Sequence, residues 1–194
     1  MASHFLTTTQ VAPASLVRVG DSPVLERWDA LERILHGEGE GAAAGLFAQP
    51  VMGSEGPQGV TVAWYSSRPG TGRRLSELDQ DSREAVETLL RQRLAAIAPA
   101  LREAEMAPVL GAALLIGDPD DILVVDGEPV IVNWGVAPPP VPTDPAARTA
   151  HFQNTLGRYL PLDNAPPIST AEWRASGGAA VQAAGVAAAV SGVA

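Results

Sequence analysis

An Asp-Gly pair, Asp126-Gly127, sits between two apolar runs in residues 121–135, DILVVDGEPVIVNWG, and no other feature constrains the fold as tightly. A two-residue type I′ turn needs φ > 0 at both central positions, and Asp followed by Gly tolerates this at small cost. The spacing predicts a β-hairpin over residues 122–134 and therefore an antiparallel sheet. Residues 59–65, GVTVAWY, read as a further strand. Leu46-Phe47-Ala48 reads as a shorter one, with a Gly/Ser/Pro turn region between the two, and Leu16-Val17-Arg18-Val19 as a first strand.

Helical spacing fills the intervals. Val24, Leu25, Trp28, Leu31, Ile34 and Leu35 recur on one face after Ser22-Pro23, which offers a cap followed by a proline at the first helical position, and Gly37 ends the pattern. A long helix opens at Asp79 and Asp81, with Val86, Leu89, Leu90, Leu94, Ile97 and Leu101 along its apolar face. Pro99 either kinks this helix or starts a new segment. Residues 108–116 suggest a short buried helix, and Phe152, Leu156 and Tyr159 mark another over 145–160, stopped by Pro161. The expected class is α+β: an antiparallel sheet holding residues 60–65 and the hairpin, covered on one face by two or three helices, chiefly those near 23–36 and 81–105. The expected division is a flexible lead over 1–15, a globular domain over 16–136, a Pro-rich linker with short helices over 137–174, and an uncharged Ala/Gly/Val tail over 175–194.

Composition narrows the function classes. The 194 residues include 22 acidic and 13 basic side chains, a formal charge of −9, so a nucleic-acid partner, which needs a basic surface, is not expected. Cysteine is absent, which removes disulfides, thiolate zinc sites and a cysteine nucleophile together and suits a reducing, cytoplasmic setting. No Lys or Arg precedes Arg18 and residues 1–20 hold no sustained apolar block, so this segment does not read as a secretory signal. Residues 175–194 have the length of a bilayer span but little of its Leu, Ile and Phe. They read either as a loose tail or as a helix of small residues with Val181, Val186, Val190 and Val193 on one face, packing closely in a membrane or an oligomer, which would hold a cytoplasmic chain at the inner face of the membrane. The oligomeric state is left open.

No catalytic, cofactor or metal constellation stands out. His4, His36 and His151 fall in three distant segments and read as surface or capping residues. Residues 68–74, RPGTGRR, offer Arg68, Arg73 and Arg74 to an anion, yet lack the Gly-Lys-Ser/Thr ending of a phosphate-binding loop, so a mobile basic loop competes with a binding role. Asp118, Asp120, Asp121 and Asp126 lack calcium-loop spacing, and Gly117 with Pro119 explains them as a turn. Residues 138–142 read as a linker, with polyproline docking as the sharper alternative. Trp64 and Trp134 sit at strand ends, where they either pack across strands or, with Tyr65 and Val132, form a partner-facing patch.

Three segments in order, Leu46-Phe47-Ala48-Gln49-Pro50, Val62-Ala63-Trp64-Tyr65 and the stretch from Val125 through Trp134 to Gly135, resemble the N-terminal region of the SrfA-type virulence-associated proteins of bacteria. The resemblance spans about residues 16–136 and implies a soluble domain preceding a hydrophobic region, with no enzymatic residues to carry across. The expected function is a non-catalytic adaptor or assembly component of an envelope or virulence-associated complex, bound to protein partners. The alternatives are a small-molecule or nucleotide-binding enzyme using residues 68–74, and a subunit anchored to a membrane through 175–194.

Overall fold

The computed structural model describes residues 3–37, 43–160 and 162. Its elements run β1 (His4–Val11), β2 (Arg18–Val19), β3 (Ser22–Pro23), α1 (Trp28–His36), β4 (Gln49–Gly56), β5 (Gly59–Ser66), β6 (Arg73–Arg74), α2 (Gln80–Ile97), α3 (Ala107–Ala113), β7 (Ile122–Val125), β8 (Glu128–Ile131) and α4 (Pro145–Asn154). The class is α+β. Two three-stranded antiparallel sheets, ordered β1-β5-β4 and β6-β7-β8, carry the fold, and β2-β3 forms a small third.

The hairpin forms as its turn dictates. Asp126 and Gly127 take φ values of 52° and 77°, and Val125 pairs with Glu128 across the turn. All four residues of β7 and the last three of β8 are buried, so both faces of the hairpin are covered, as a continuous apolar run suggests. Residues 60–65 were expected in the same sheet as the hairpin; they lie instead in the β1-β5-β4 sheet, and a single parallel bridge, Phe47 to Ile131, joins the two. There Ile131 N–H donates to the Leu46 carbonyl at 2.7 Å and Ala48 N–H to the Ile131 carbonyl at 2.9 Å. Because backbone direction alternates along a strand, Pro129 turns its missing donor to this same side, away from β7, and no ladder bond is lost.

The helices follow their patterns with shifted ends. Ser22-Pro23 is extended in β3 rather than a cap, the chain passes through a 3-10 turn over Val24–Arg27, and α1 buries Leu31, Ile34 and Leu35. α2 buries Val86, Leu90, Leu94 and Ile97; its cap is Asp79, whose carboxylate accepts from Ser82 N–H at 2.9 Å. The same bonds hold the Asp79 carboxyl below its ordinary value. The helix stops at Ile97, short of the expected 105, because Pro99 opens a separate 3-10 stretch over Ala98–Arg102, where its missing N–H has no helical partner to lose. Every residue of α3 is buried.

Two expected boundaries are corrected. The lead assigned to 1–15 contains β1, eight residues paired with β5 along their length; its Thr-rich alternation turns Thr7, Thr9 and Val11 toward the core and leaves no apolar run to announce a strand. The linker assigned from 137 onward is packed through residue 160. Ala137, just before the prolines, and Val141, between Pro140 and Pro142, are buried, α4 is capped by Asp144 and buries Phe152, and Leu156, Tyr159 and Leu160 follow it into the core. Apart from Leu162, the rest of that linker and the tail over 175–194 lie outside the described residues.

Candidate functional site

The β1-β5-β4 sheet has two unlike faces. β5 alternates strictly: Val60, Val62 and Trp64 point to the core, while Thr61, Ala63 and Tyr65 point outward. Register extends the outer face across the sheet, since Phe5 and Gln49 flank Tyr65, Thr8 and Val51 flank Ala63, and Gln10 flanks Thr61. A one-residue bulge between Phe5 and Thr7 lets Phe5 stay outward while Thr7, Thr9 and Val11 keep facing the core. No charged side chain stands on these paired outward positions. The Phe5 and Tyr65 rings meet edge to face at 5.8 Å, and Phe5 is 56% exposed and Val51 49% exposed. Two of the three large apolar side chains exposed among the described residues therefore lie on one uncharged sheet face, and β1 borders it as an edge strand without Lys or Pro.

The four residues proposed from sequence as a partner patch divide accordingly. Tyr65 is on the open face. Trp64, Trp134 and Val132 are buried, at 0%, 0% and 3% exposure, and are corrected to core residues. Trp134 is the hub of an aromatic cluster, with the Trp28, Phe47 and Trp64 rings each 6.1 Å away, and its indole N–H donates to the Ala48 carbonyl at 2.8 Å. Buried indoles need such partners. The Trp64 N–H donates to Thr9 Oγ1 at 2.9 Å, Thr9 donates to Asn133 Oδ1 at 2.8 Å, and Asn133 Nδ2 donates to Asp121 Oδ1 at 2.6 Å. The other carboxylate oxygen of Asp121 accepts from Asp118 N–H at 2.7 Å. This chain ties β1 and β5 to the hairpin base. Burial pushes the Asp121 carboxyl above its ordinary value, against the opposing pull of these bonds.

The remaining candidates are also placed. Asp118 caps the turn before β7 by accepting from Asp120 N–H, and no group of His, Asp or Glu among the described residues has the arrangement of a metal site. His36 lies 2.9 Å from the Glu32 carbonyl and His151 2.6 Å from that of Ile116, both at helix or loop ends. The basic loop does not converge on one point. Arg73 donates to the Glu77 carbonyl and Arg74 faces Asp120 at 3.7 Å from β6, whereas Arg68 faces Glu128, which also pairs closely with Arg93 of α2. A shallow cleft of about 320 Å³ beside Tyr159, lined by Arg83, Glu87, Asp120 and Arg158, mixes both signs of charge. Burial, followed by the Glu87 carboxylate, raises the Tyr159 hydroxyl above its ordinary value.

Phe5, Val51, Arg93 and Glu128 are absent from the sequence-level candidates. Phe5 and Val51 fall in segments that lack apolar periodicity, and only strand pairing brings them beside Tyr65. Comparison with protein-family models, with curated proteins and with solved structures finds no match to this chain.

Proposed function

We propose that this chain is a non-catalytic protein-interaction module whose contact surface is the open face of the β1-β5-β4 sheet, centred on Phe5, Val51 and Tyr65. The observation that carries the reading is the lack of any charge on that face in a chain of net charge −9 that, among its described residues, exposes only one other large apolar side chain, Met106. A partner with an apolar, uncharged surface gains there by burying aromatic area without desolvating an ion. The edge of β1 offers unpaired backbone groups beside it, the geometry of strand addition. The wider assignment, an adaptor or assembly component of a bacterial envelope or virulence-associated complex in the cytoplasm or at the inner face of a membrane, rests on the resemblance of the three sequence segments. Among the described residues no helix is long and apolar enough to cross a membrane, so the anchoring alternative rests on residues 175–194 alone.

The test is recovery from the native cell with the full-length chain, run beside a Phe5→Asp, Val51→Asp double variant that keeps the wild-type melting temperature. Partners retained by the wild type and lost by the variant support the reading. Identical recovery by both, or recovery of this chain only, overturns it.

A further inference from the structure

The two guanidiniums beside Glu128 are unequally served. Arg93, on α2, pairs closely with Glu128 Oε2 and donates from Nη1 to the Ala44 carbonyl at 3.2 Å. Arg68 approaches the same oxygen only to 3.9 Å, too far for a hydrogen bond, and its Nε–H is buried with no acceptor. One carboxylate thus serves two cations whose side chains are 33% and 14% exposed, which leaves a partly desolvated excess positive charge on an otherwise acidic chain. A buried N–H without a partner is destabilising, and natural structures retain such groups sparingly. Gly45, at φ +76°, packs closely against both: a Cβ on it would lie only 3.0 Å from Ser67 Oγ and 3.7 Å from Arg68 Nε, so the Ser67 hydroxyl lies on the Nε side of the Arg68 guanidinium.

We propose that Arg68, with the Ser67 hydroxyl, forms a binding site for a small oxyanion, a phosphate or carboxylate group, for which Glu128, held by Arg93, is the built-in competitor. The planar guanidinium fork matches two oxygens of such a group, which a single Glu128 oxygen shared with Arg93 does not supply. An incoming oxyanion draws the partly exposed Arg68 side chain away from Glu128 and gives its Nε–H an acceptor, while Glu128 stays with Arg93. The site needs neither Arg73 nor Arg74, both engaged elsewhere, and it is independent of the open sheet face.

Melting temperature of the full-length chain is followed against sodium phosphate and sodium citrate, each compared with sodium chloride at equal ionic strength. The expected result is a saturable rise beyond that of chloride, lost in Arg68→Gln and retained in Arg73→Gln. Glu128→Gln, which removes the competitor, should lower the half-saturating concentration by about tenfold, the effect of roughly 1.4 kcal/mol. A rise with phosphate alone assigns a phosphate ligand, and a rise with citrate alone a carboxylate. No rise beyond chloride, an undiminished rise in Arg68→Gln, or weaker binding in Glu128→Gln overturns the site. Should either variant fail to fold, the Arg68 Nε–H resonance of the wild type decides: it moves on titration with the active anion if the site exists, and stays in place if it does not.

Discussion

Asn133 takes φ 49°, a left-handed conformation that Asn tolerates better than most residues, and this places its amide between Thr9 and Asp121. Asp121 accepts from it at the cost of its own desolvation, and that cost has a pH signature. Its folded-state pKa lies above the unfolded value near 3.8, so between the two the folded chain binds more protons than the unfolded one, and stability falls as pH rises through that window. Asp121→Asn cannot titrate. Urea midpoints measured from pH 3 to 7 should show the variant gaining on the wild type as pH rises; parallel curves would refute the linkage. Two residues on, Gly135 at φ 68° has a different constraint: a Cβ there would overlap the Val24 methyl Cγ1. Gly135→Ala therefore combines backbone strain with overpacking and should lose about 2–4 kcal/mol in denaturant unfolding.

Among the elements, β1 departs furthest from the sequence reading, and α4, legible there as a helix, departs in being core rather than part of a linker. Thr9→Val keeps the shape of β1 but leaves the Trp64 indole N–H without an acceptor and Asn133 without a donor, so a loss of roughly 1–3 kcal/mol is expected in urea unfolding. A flexible lead would give no change. Phe152→Ala on α4 should cost about 3–5 kcal/mol if the segment is core, as its 0% exposure indicates, and almost nothing if it were a linker. The strand β1 and the packing of the 137–160 segment were illegible for different reasons. The hairpin announces itself because its turn needs two residues with φ > 0 and both strands are buried on both faces, which writes an apolar run into the sequence. β1 and β4 each turn one face to water and draw their order from β5, so their own residues, TTTQ and MGSEG, look like loop. The prolines over 138–142 do exclude a strand, but packing of Val141 between them depends on a core formed elsewhere. The candidate face was legible only at Tyr65, because register, not proximity in sequence, assembles the rest.

For the whole molecule, the decisive asymmetry is between the two faces of one sheet. The inner face feeds a single continuous core in which Trp134 contacts three other rings, whereas the outer face exposes Phe5 and Val51 with no charge to keep an apolar partner away. Were the outer face merely an uncovered part of the core, charge there would unfold the chain as readily as damage within. Side chains already about half exposed lose little burial when replaced, so Phe5→Asp and Val51→Asp should each shift stability by no more than about 0.5 kcal/mol. Trp134→Phe, by contrast, leaves a cavity and orphans the Ala48 carbonyl, for a loss of about 2–4 kcal/mol. Urea unfolding of the three variants checks the contrast directly. A large loss from the outer-face substitutions would mean that the face is buried against something in the free chain, and would remove the ground for assigning it to a partner. Small losses there, beside a large one at Trp134, leave aromatic area that the fold does not need for its own stability, which is the physical condition for its use in recognition.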